Sequence, residues 1–377
     1  MKAKPTLVLL LLFLLLSLPG WAGRTAGDFE KRISETFPIR NDGRVELNNR
    51  YGEIKVVTWN QARVKVDVLI RVTARNESDF QKVLSRIDIR LTGGNNTVSA
   101  VTSINSGGKS GNWFDYFFGG GSNTEDFKIF YTVSMPESVN LNVEAKYCDV
   151  ALPNLNGEVL LDVAYGDLVA DRLTNRSTVS VSYGSARLEQ VGNGSSVKMR
   201  YSEGWVRNGG DLRYDGRYSD VRFGKMGELR LDVGYEEIEV ESATDVYFDG
   251  NYNDLSIERA NRVFVDGNYS DFNFGTVTQV LEASCNYGDI DVDQLTAGFE
   301  RVVIRAAYTD VQINVADDAG YSLDLDAKYG DIDAPTAGLS SRNIGSDSGR
   351  EYVKGTKAGK GKGTIRISTS YGDIEIY

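Results

Sequence analysis

The chain has 377 residues, a formal net charge of -11 at neutral pH, forty glycines, six prolines, two cysteines and no histidine. The negative charge argues against binding to a phosphate backbone, so no nucleic-acid partner is expected. The lack of histidine removes the commonest general base and transition-metal ligand, which argues against zinc chemistry.

The chain begins with a predicted secretory signal peptide over residues 1–22. Lys2 and Lys4 precede an apolar run from Thr6 to Leu18, and a small-residue site follows near Ala22. This run is shorter than the about 20 residues that a membrane helix needs, so a cleaved signal is favoured over an anchor. No later apolar run is long enough to span a bilayer. We therefore expect an exported mature chain with no transmembrane segment.

Residues 23–138 are predicted to form an N-terminal capping region. "GRVELNNRYGEIKVVTW" contains the first copy of a repeat, and "ARVKVDVLIRVTA" alternates as a strand. "ESDFQKVLSRI" is predicted to be a short helix with Ser78 as its N-cap and with Phe80, Val83, Leu84 and Ile87 on one side. Such a region would cover the first coil, because an uncovered sheet edge invites aggregation.

A glycine-rich insertion, residues 105–123, lies between two predicted strands, Thr97–Ile104 and Phe127–Met135. It contains five candidate ligand-binding aromatics: Trp113, Phe114, Tyr116, Phe117 and Phe118. One interpretation is a loop that folds back over the first coils. The other is an exposed aromatic tip that binds a partner, a glycan or a lipid surface.

A repeat marked by tyrosine continues from residue 139 to residue 377. The thirteen marker tyrosines are Tyr51, Tyr147, Tyr165, Tyr183, Tyr201, Tyr218, Tyr235, Tyr252, Tyr269, Tyr287, Tyr308, Tyr329 and Tyr371. The residue four before each tyrosine is apolar or aromatic and the next one is polar, which is the alternation of a half-buried strand. The short period leaves no room for a helix. We predict an all-β, parallel β-solenoid of about 11–13 coils, each of about 17–21 residues with two strands.

The strand alternation predicts that the tyrosines fill the end of the core, beside a bend at the following residue. That residue is mostly Gly, Ser, Asn or Thr, which tolerate unusual φ angles. Tyr252→Ala should then destabilise by several kcal/mol. The alternative is an outward aromatic stripe for sugar stacking. In the same frame Cys148 and Cys285 lie eight coils apart, so a disulfide between them is not expected.

A carboxylate stands two residues after the tyrosine in all copies except one, where Ser185 replaces it. The column is Glu53, Asp149, Asp167, Glu203, Asp220, Glu237, Asp254, Asp271, Asp289, Asp310, Asp331 and Asp373. In the structural interpretation each carboxylate accepts backbone N–H groups at its own corner. In the functional interpretation calcium binds between coils, with Asp254, Asp271, Asp289, Asp310 and Asp331 as weak candidates. No other cofactor is expected.

Near the C-terminus, "SSRNIGSDSGREYVKGTKAGKGKG" lies in a basic, glycine-rich segment over residues 338–363. Its composition predicts a mobile loop rather than a binding site. The last strand is predicted over Thr364–Tyr377.

The segment "FKIFYTVSMPESVNLNVEAKYCDVALPNLNGEVLLDVAYGDL" resembles the start of the β-solenoid in the bacterial "putative adhesin" family with a head GIN domain. In that family a strand ending in a V-x-x-P step leads into repeated turns with a G-D-I pattern. The resemblance implies an exported envelope protein of a Gram-negative-type bacterium, periplasmic or at the cell surface. It implies no activity and no site residues.

Two functional hypotheses follow. The first is a non-enzymatic envelope protein, an adhesin-like scaffold or binding module whose rigid solenoid displays loops to an envelope protein or glycan. The second is a carbohydrate-binding or polysaccharide-degrading β-helix protein. An enzyme would need a non-repeating cluster of Asp, Arg or Lys on one face, whereas the acidic residues here recur with the repeat. A sensing partner for an envelope-stress system is a third hypothesis that the sequence leaves open.

Overall fold

A computed structural model of the chain describes residues 27–105 and 126–377. The predicted signal peptide lies outside the described residues, and so do the five candidate aromatics of the insertion. No helix within the described ranges combines the length and the apolar character needed to span a membrane.

The described N-terminal residues form a cap of strands with a single short helix. Its elements are β1 (Gly27–Pro38), β2 (Arg44–Thr58), β3 (Arg63–Ala74), α1 (Glu77–Leu84), β4 (Ile87–Gly93), β5 (Thr97–Ile104) and β6 (Asp126–Met135).

The first coils are built from short strands that begin and end around each tyrosine. They are β7 (Asn140–Leu152), β8 (Val159–Ala164), β9 (Asp167–Leu173), β10 (Ser177–Ser182), β11 (Ser185–Val191), β12 (Ser195–Arg200) and β13 (Glu203–Asn208).

The later strands vary widely in length, and the longest, β14, continues through three tyrosine corners. They are β14 (Leu212–Asn268), β15 (Asp271–Leu295), β16 (Arg301–Val315), β17 (Ala319–Lys328), β18 (Ile332–Asp333), β19 (Leu339–Asp347), β20 (Arg350–Lys357), β21 (Lys360–Ser370) and β22 (Ile374–Ile376).

Successive coils pair in parallel with like positions in register, which confirms the predicted all-β solenoid. Before the tyrosine corner β7 pairs with β8, β8 with β10 and β10 with β12. After the corner β7 pairs with β9, β9 with β11 and β11 with β13. Val143, Leu161 and Val179 are thereby stacked and buried. The hydrophobic core is the continuous set of such columns inside the coil.

The tyrosine corner differs from the prediction. All thirteen marker tyrosines have a left-handed backbone, with φ between 51° and 63°. One left-handed residue in a strand reverses the alternation, so the tyrosine points outward and the following residue points inward. The eleven marker tyrosines from Tyr165 to Tyr371 are 44–53% exposed. The prediction that they fill the core was therefore wrong, and the bend lies on the tyrosine itself.

Glycine follows many of these tyrosines because the backbone of the adjacent coil lies very close at this inward position. A Cβ atom at Gly166 would lie 2.3 Å from the carbonyl oxygen of Cys148. At Gly372 it would lie 2.1 Å from the carbonyl oxygen of Thr309. Other coils carry an inward Ser, Asn, Thr, Cys or Glu at the same position, and most of these side chains are buried.

The N-terminal cap covers one edge of β2, the strand that contains the first tyrosine corner. β1 pairs with β3 and β3 with β6 in antiparallel fashion, and β4 pairs with β5. β2 pairs with β7 on one side and with β5 and β6 on the other. Because Asn48 pairs with Val101 and Gly52 with Ile129, the ends of β5 and β6 flank the Tyr51 corner.

The N-cap of helix α1 lies two residues earlier than predicted. The side chain of Asn76, not Ser78, accepts the N–H of Asp79 at 3.0 Å and caps the helix. Three residues of the predicted apolar side face the core: Phe80 and Val83 are buried and Leu84 is partly buried, whereas the fourth, Ile87, lies outside the helix as the first residue of β4.

At the other end the chain order and the spatial order differ. β21 lies between β16 and β17, and β22 lies between β16 and β18. The last coil in the sequence is thus inserted between the two coils that precede it. Consequently Tyr371 stacks on both Tyr308 and Tyr329.

The predicted mobile loop over residues 338–363 was also wrong. β19 and β20 form an antiparallel hairpin, and β20 pairs antiparallel with β17. Two of its basic side chains contact acidic residues of β17: Arg350 forms an ion pair with Asp326, and Lys354 forms one with Asp324 at 2.9 Å. Backbone pairing on both sides of β20, with β17 and β19, orders this glycine-rich segment, and the exposed ion pairs add little.

Candidate functional site

The marker tyrosines form a continuous external stack, which we call the tyrosine ladder. Neighbouring ring centroids are 4.7–5.2 Å apart from Tyr51 to Tyr329, and most neighbouring rings lie within 10° of parallel. Each inner ring has a tyrosine on both faces, so the solvent meets ring edges. Stacking of a sugar on the ring faces, the alternative considered for these residues, is therefore blocked along the ladder except at its ends.

The predicted carboxylate column runs beside the tyrosine ladder, and its residues are mostly exposed. The N–H of Asp289 donates to Oδ1 of Asp271 at 3.0 Å, and the N–H of Asp167 donates to Oδ1 of Asp149 at 3.0 Å. The acceptor is thus bonded to the equivalent residue of the next coil, not to its own corner as predicted. Burial raises the pKa of Asp289, and the charges of Asp271 and Asp310 raise it further.

The structure places the five calcium candidates in this column in sequence order, but Asp373 separates the last two of them. Asp373 lies between Asp310 and Asp331: its N–H donates to Asp310 at 2.8 Å, and it accepts the N–H of Asp331 at 2.8 Å. Within the described ranges no group of three or more Asp, Glu, Cys or His side chains is arranged to hold a metal ion.

A second surface lies on the strands that precede the corner. We call it the lateral groove, and its volume is about 490 Å³. Tyr247 and Phe264 stack at its centre with ring centroids 4.9 Å apart. The guanidinium carbon of Arg230 lies 4.3 Å from the Tyr247 ring centroid. This is an apolar platform with a cation at one end, on strands whose backbone hydrogen bonds keep it rigid.

Charged side chains surround that aromatic pair. Asp232, Asp249 and Asp266 occupy one position in three successive coils and are exposed. Arg213 and Arg305 lie at the two ends of the groove. The arrangement offers hydrogen-bond acceptors along the middle and donors at both ends, with an apolar surface between them.

Below the groove floor lies a buried carboxyl group. Tyr214, which lines the groove, donates its hydroxyl to Oε2 of Glu236 at 2.8 Å. Glu236 is 4% exposed, and burial raises its pKa to about 8. A Cβ atom at Gly216 would lie 2.4 Å from both carboxyl oxygens, so glycine makes room for this side chain. Among the described residues neither Oε1 of Glu236 nor Nδ2 of Asn253 has a hydrogen-bond partner.

A smaller depression of about 440 Å³ lies at the tyrosine corner where the carboxylate column is interrupted. Ser185 stands there in place of the carboxylate, and its hydroxyl donates to Oδ1 of Asp167 at 2.7 Å. Tyr201 and Tyr218 line the same depression. The column of side-chain acceptors is interrupted here, because the N–H of Glu203 in the next coil donates to the carbonyl oxygen of Gly184.

The lateral groove was not predicted from the sequence. The inward columns of the repeat predict the core. The signal for the groove lies in the outward residue five positions before each marker tyrosine. This position holds Arg213, Arg230, Tyr247, Phe264 and Glu282 in successive coils. Two adjacent aromatics among charged residues at a solvent-facing position are the sequence signal of this surface.

Both cysteines are free and buried, as the solenoid frame predicts. Burial raises the pKa of the Cys148 thiol to about 12 and also raises that of Cys285. Neither thiol is therefore a reactive nucleophile at neutral pH.

Comparisons with known proteins give low-identity structural likenesses. A "putative cell adhesion protein" of Clostridium sporogenes is 12% identical, covering 92% of this chain and 99% of that one, with a TM-score of 0.19. A "putative adhesin" of Bacteroides fragilis is 14% identical, covering 92% and 97%, with a TM-score of 0.21. A "Putative lipid binding protein" of Parabacteroides distasonis is 11% identical, covering 76% and 97%, with a TM-score of 0.28. No curated protein matches the chain significantly.

The family comparison is decisive. The family described as Toastrack DUF4097 matches residues 87–377, which include every coil after the first tyrosine corner. This match confirms the resemblance to the adhesin-like β-solenoid family that the sequence predicted. The chain belongs to the Toastrack DUF4097 family.

Proposed function

We propose that the protein is a non-enzymatic, exported, adhesin-like binding module of the cell envelope. The lateral groove carries this proposal. It places two aromatic rings, three carboxylates and flanking arginines on strands paired in register over consecutive coils. A surface held by continuous backbone pairing is preorganised, so little conformational entropy is lost when a partner binds.

The acidic residues of the groove support binding rather than catalysis. Asp232, Asp249 and Asp266 occupy equivalent, exposed positions of the repeat, and Asp232 also forms an ion pair with Arg217 at 2.7 Å. Acid–base catalysis by two carboxylates requires surroundings that separate their pKa values. The buried Glu236, whose pKa is raised, lies beneath the floor and bonds to Tyr214.

Besides an envelope protein, a glycan is the second candidate partner of the groove, and the side chains of the groove favour it. Hydroxyl groups of a sugar donate to carboxylates and accept from guanidinium groups, while its C–H surface packs against aromatic side chains. Asp249, Arg230 and Phe264 offer these three contacts within one groove. The same surface would also accept a loop of an envelope protein with mixed charge.

The groove hypothesis is tested by binding of the purified protein to isolated cell envelopes and to a panel of neutral and acidic polysaccharides. We expect Tyr247→Ala combined with Phe264→Ala to weaken binding by about tenfold or more, which corresponds to about 1.4 kcal/mol. Trp205→Ala is the matched control. Trp205 is an aromatic between two arginines, Arg187 and Arg207, on the strand after the corner.

Equal losses in both variants, or no loss in the groove variant, would remove the groove as the binding surface. Release of new reducing ends from any polysaccharide would contradict a non-enzymatic function. Fractionation of cells that express the full chain tests export: protein that stays in the cytoplasm with residues 1–22 attached would contradict it.

A further inference from the structure

The tyrosine ladder brings exposed phenols together in a way that the proposed binding function does not use. From Tyr165 to Tyr329 the neighbouring ring centroids are 4.7–5.0 Å apart. Each of these eleven tyrosine residues is 44–53% exposed. Adjacent phenols in contact, with their edges open to solvent, are the arrangement that oxidative coupling of tyrosine requires.

We infer that the tyrosine ladder is a modification site, at which one-electron oxidants couple neighbouring tyrosines into dityrosine and so join adjacent coils covalently. The oxidant class is hydrogen peroxide acting through a haem peroxidase. Each of two phenols gives up one electron and one proton, and peroxide takes up both pairs to become two water molecules.

The coupling itself joins the two phenoxyl radicals through the ring carbons next to their oxygens. The hydrogen on each of those carbons then moves to the phenol oxygen as both rings regain aromaticity. The net loss is two hydrogen atoms for each cross-link. Stacked rings favour this step, because a radical on any ladder residue has another ladder phenol in contact with it.

These cross-links would join adjacent coils covalently along the tyrosine corner. Both cysteines are buried and free, so they provide no such link between coils. A dityrosine between neighbours would tie two coils that are otherwise held by backbone pairing and side-chain packing. Tyr131, Tyr214 and Tyr321 are buried, and we expect them to stay unmodified.

The spatial order of the last coils gives this inference a sharp test. Purified full-length protein is oxidised with peroxidase and limiting peroxide, and the cross-linked peptides are identified by mass spectrometry. We expect links between ladder neighbours, and in particular between Tyr308 and Tyr371 and between Tyr329 and Tyr371. Links between Tyr308 and Tyr329, links mainly between molecules, or no dityrosine at all would overturn the inference.

A matched variant separates ladder chemistry from general tyrosine oxidation. It replaces alternate ladder tyrosines with phenylalanine at Tyr147, Tyr183, Tyr218, Tyr252, Tyr287 and Tyr371. The stack of rings is kept, but no two phenols remain adjacent. We expect dityrosine fluorescence after oxidation to fall to the level of unoxidised protein, while the circular dichroism spectrum stays the same. An unchanged yield of dityrosine would contradict the ladder as the site.

Unfolded wild-type protein provides the readout if that variant does not fold. Oxidation in concentrated urea should abolish the link between Tyr308 and Tyr371, which are 63 residues apart in the sequence. If this link forms equally well in the unfolded chain, the stacked arrangement is not its cause.

Discussion

At the scale of single residues, the tyrosine corner combines a cost with a gain. A left-handed backbone at a non-glycine residue costs roughly 1–2 kcal/mol, whereas a stacked aromatic pair contributes about 0.5–1.5 kcal/mol beyond its buried area. Each inner ladder tyrosine stacks on two neighbours. It also turns the next residue into the core, as Ser202 and Asn253 show. The aromatic ring therefore offsets a conformation for which glycine would otherwise be preferred.

Tyr252 tests this balance. Tyr252→Ala removes two ring contacts and leaves alanine in the left-handed region, so we expect a loss of about 1–3 kcal/mol in the free energy of unfolding. This is smaller than expected for a core tyrosine. Tyr252→Gly removes as much contact but relieves the backbone strain. We expect glycine to destabilise less than alanine in urea denaturation, and the reverse order would contradict strain at the corner.

Glu236 makes stability depend on pH. Its pKa is about 8 in the folded protein, mainly because of burial, and an unfolded glutamate has a pKa of about 4.3. The folded state holds the proton more tightly, so the contribution is fully present below about pH 4.3 and is lost as the pH rises to 8. Tyr214, Arg200 and Arg217 oppose the effect of burial, and Asp220 adds to it.

We therefore expect Glu236→Gln to flatten the fall in stability between pH 5 and pH 9, by on the order of a few kcal/mol. The measurement is chemical denaturation of both proteins at several pH values, taken as a difference so that other titrating groups cancel. Parallel curves would show that the buried carboxyl does not control the dependence.

At the scale of elements, the carboxylate column forms hydrogen bonds between coils at the expense of repulsion between its charges. Each oxygen that accepts the N–H of the next coil satisfies a backbone donor, which contributes about 0.5–1.5 kcal/mol. Like charges at the strand spacing of about 4.8 Å oppose this by roughly 1 kcal/mol in water. Ser185 brings neither the charge nor the acceptor: the N–H of Glu203 donates to the carbonyl oxygen of Gly184, and Tyr201 and Tyr218 still stack as elsewhere.

Substitutions at Asp271 separate the two effects. Asp271→Asn keeps an oxygen for the N–H of Asp289 and removes a charge, so we expect unchanged or slightly higher stability. Asp271→Ala removes the acceptor and should cost about 1 kcal/mol. Thermal and urea denaturation at low salt provide the comparison. If Asn and Ala destabilise equally, the charge rather than the hydrogen bond is what the column contributes.

Calcium is the remaining hypothesis for this column. The carboxylates of Asp271 and Asp310 accept backbone N–H groups, and the described residues provide no group of three ligands. We expect the thermal midpoint of unfolding in calcium to equal the midpoint in magnesium at the same ionic strength. A saturable rise with calcium that Asp271→Asn abolishes would instead establish a cation site.

At the scale of the whole molecule, the inserted C-terminal coil joins parts of the chain that are distant in sequence. Ile367 is fully buried and pairs with Ile304 on one side and Leu325 on the other. Until β21 and β22 are in place, β16 and β17 have no strand between them. We expect this pairing to form late in folding, because closing the long loop between the paired strands costs conformational entropy.

Two isoleucines near the C-terminus test the insertion. Ile367→Ala should cost about 2–5 kcal/mol, whereas Ile344→Ala should have little effect, because Ile344 lies on the outer hairpin strand and is 47% exposed. Hydrogen exchange should show that Ile367→Ala weakens protection in both Arg301–Val315 and Ala319–Lys328. Weakening in only one of the two strands would contradict a coil inserted between them.

The sequence by itself determined the repeat, its two strands per coil, the inward apolar columns, the carboxylate column and the existence of a capped end with one helix. These features follow from local periodicity, which reports burial at every position. Only the tertiary structure decided the outward direction of the tyrosines, the hairpin over residues 339–357, the inserted last coil and the lateral groove. A single left-handed residue reverses a strand's alternation without changing the hydrophobic pattern, and the pairing of distant strand edges depends on contacts that no local period records.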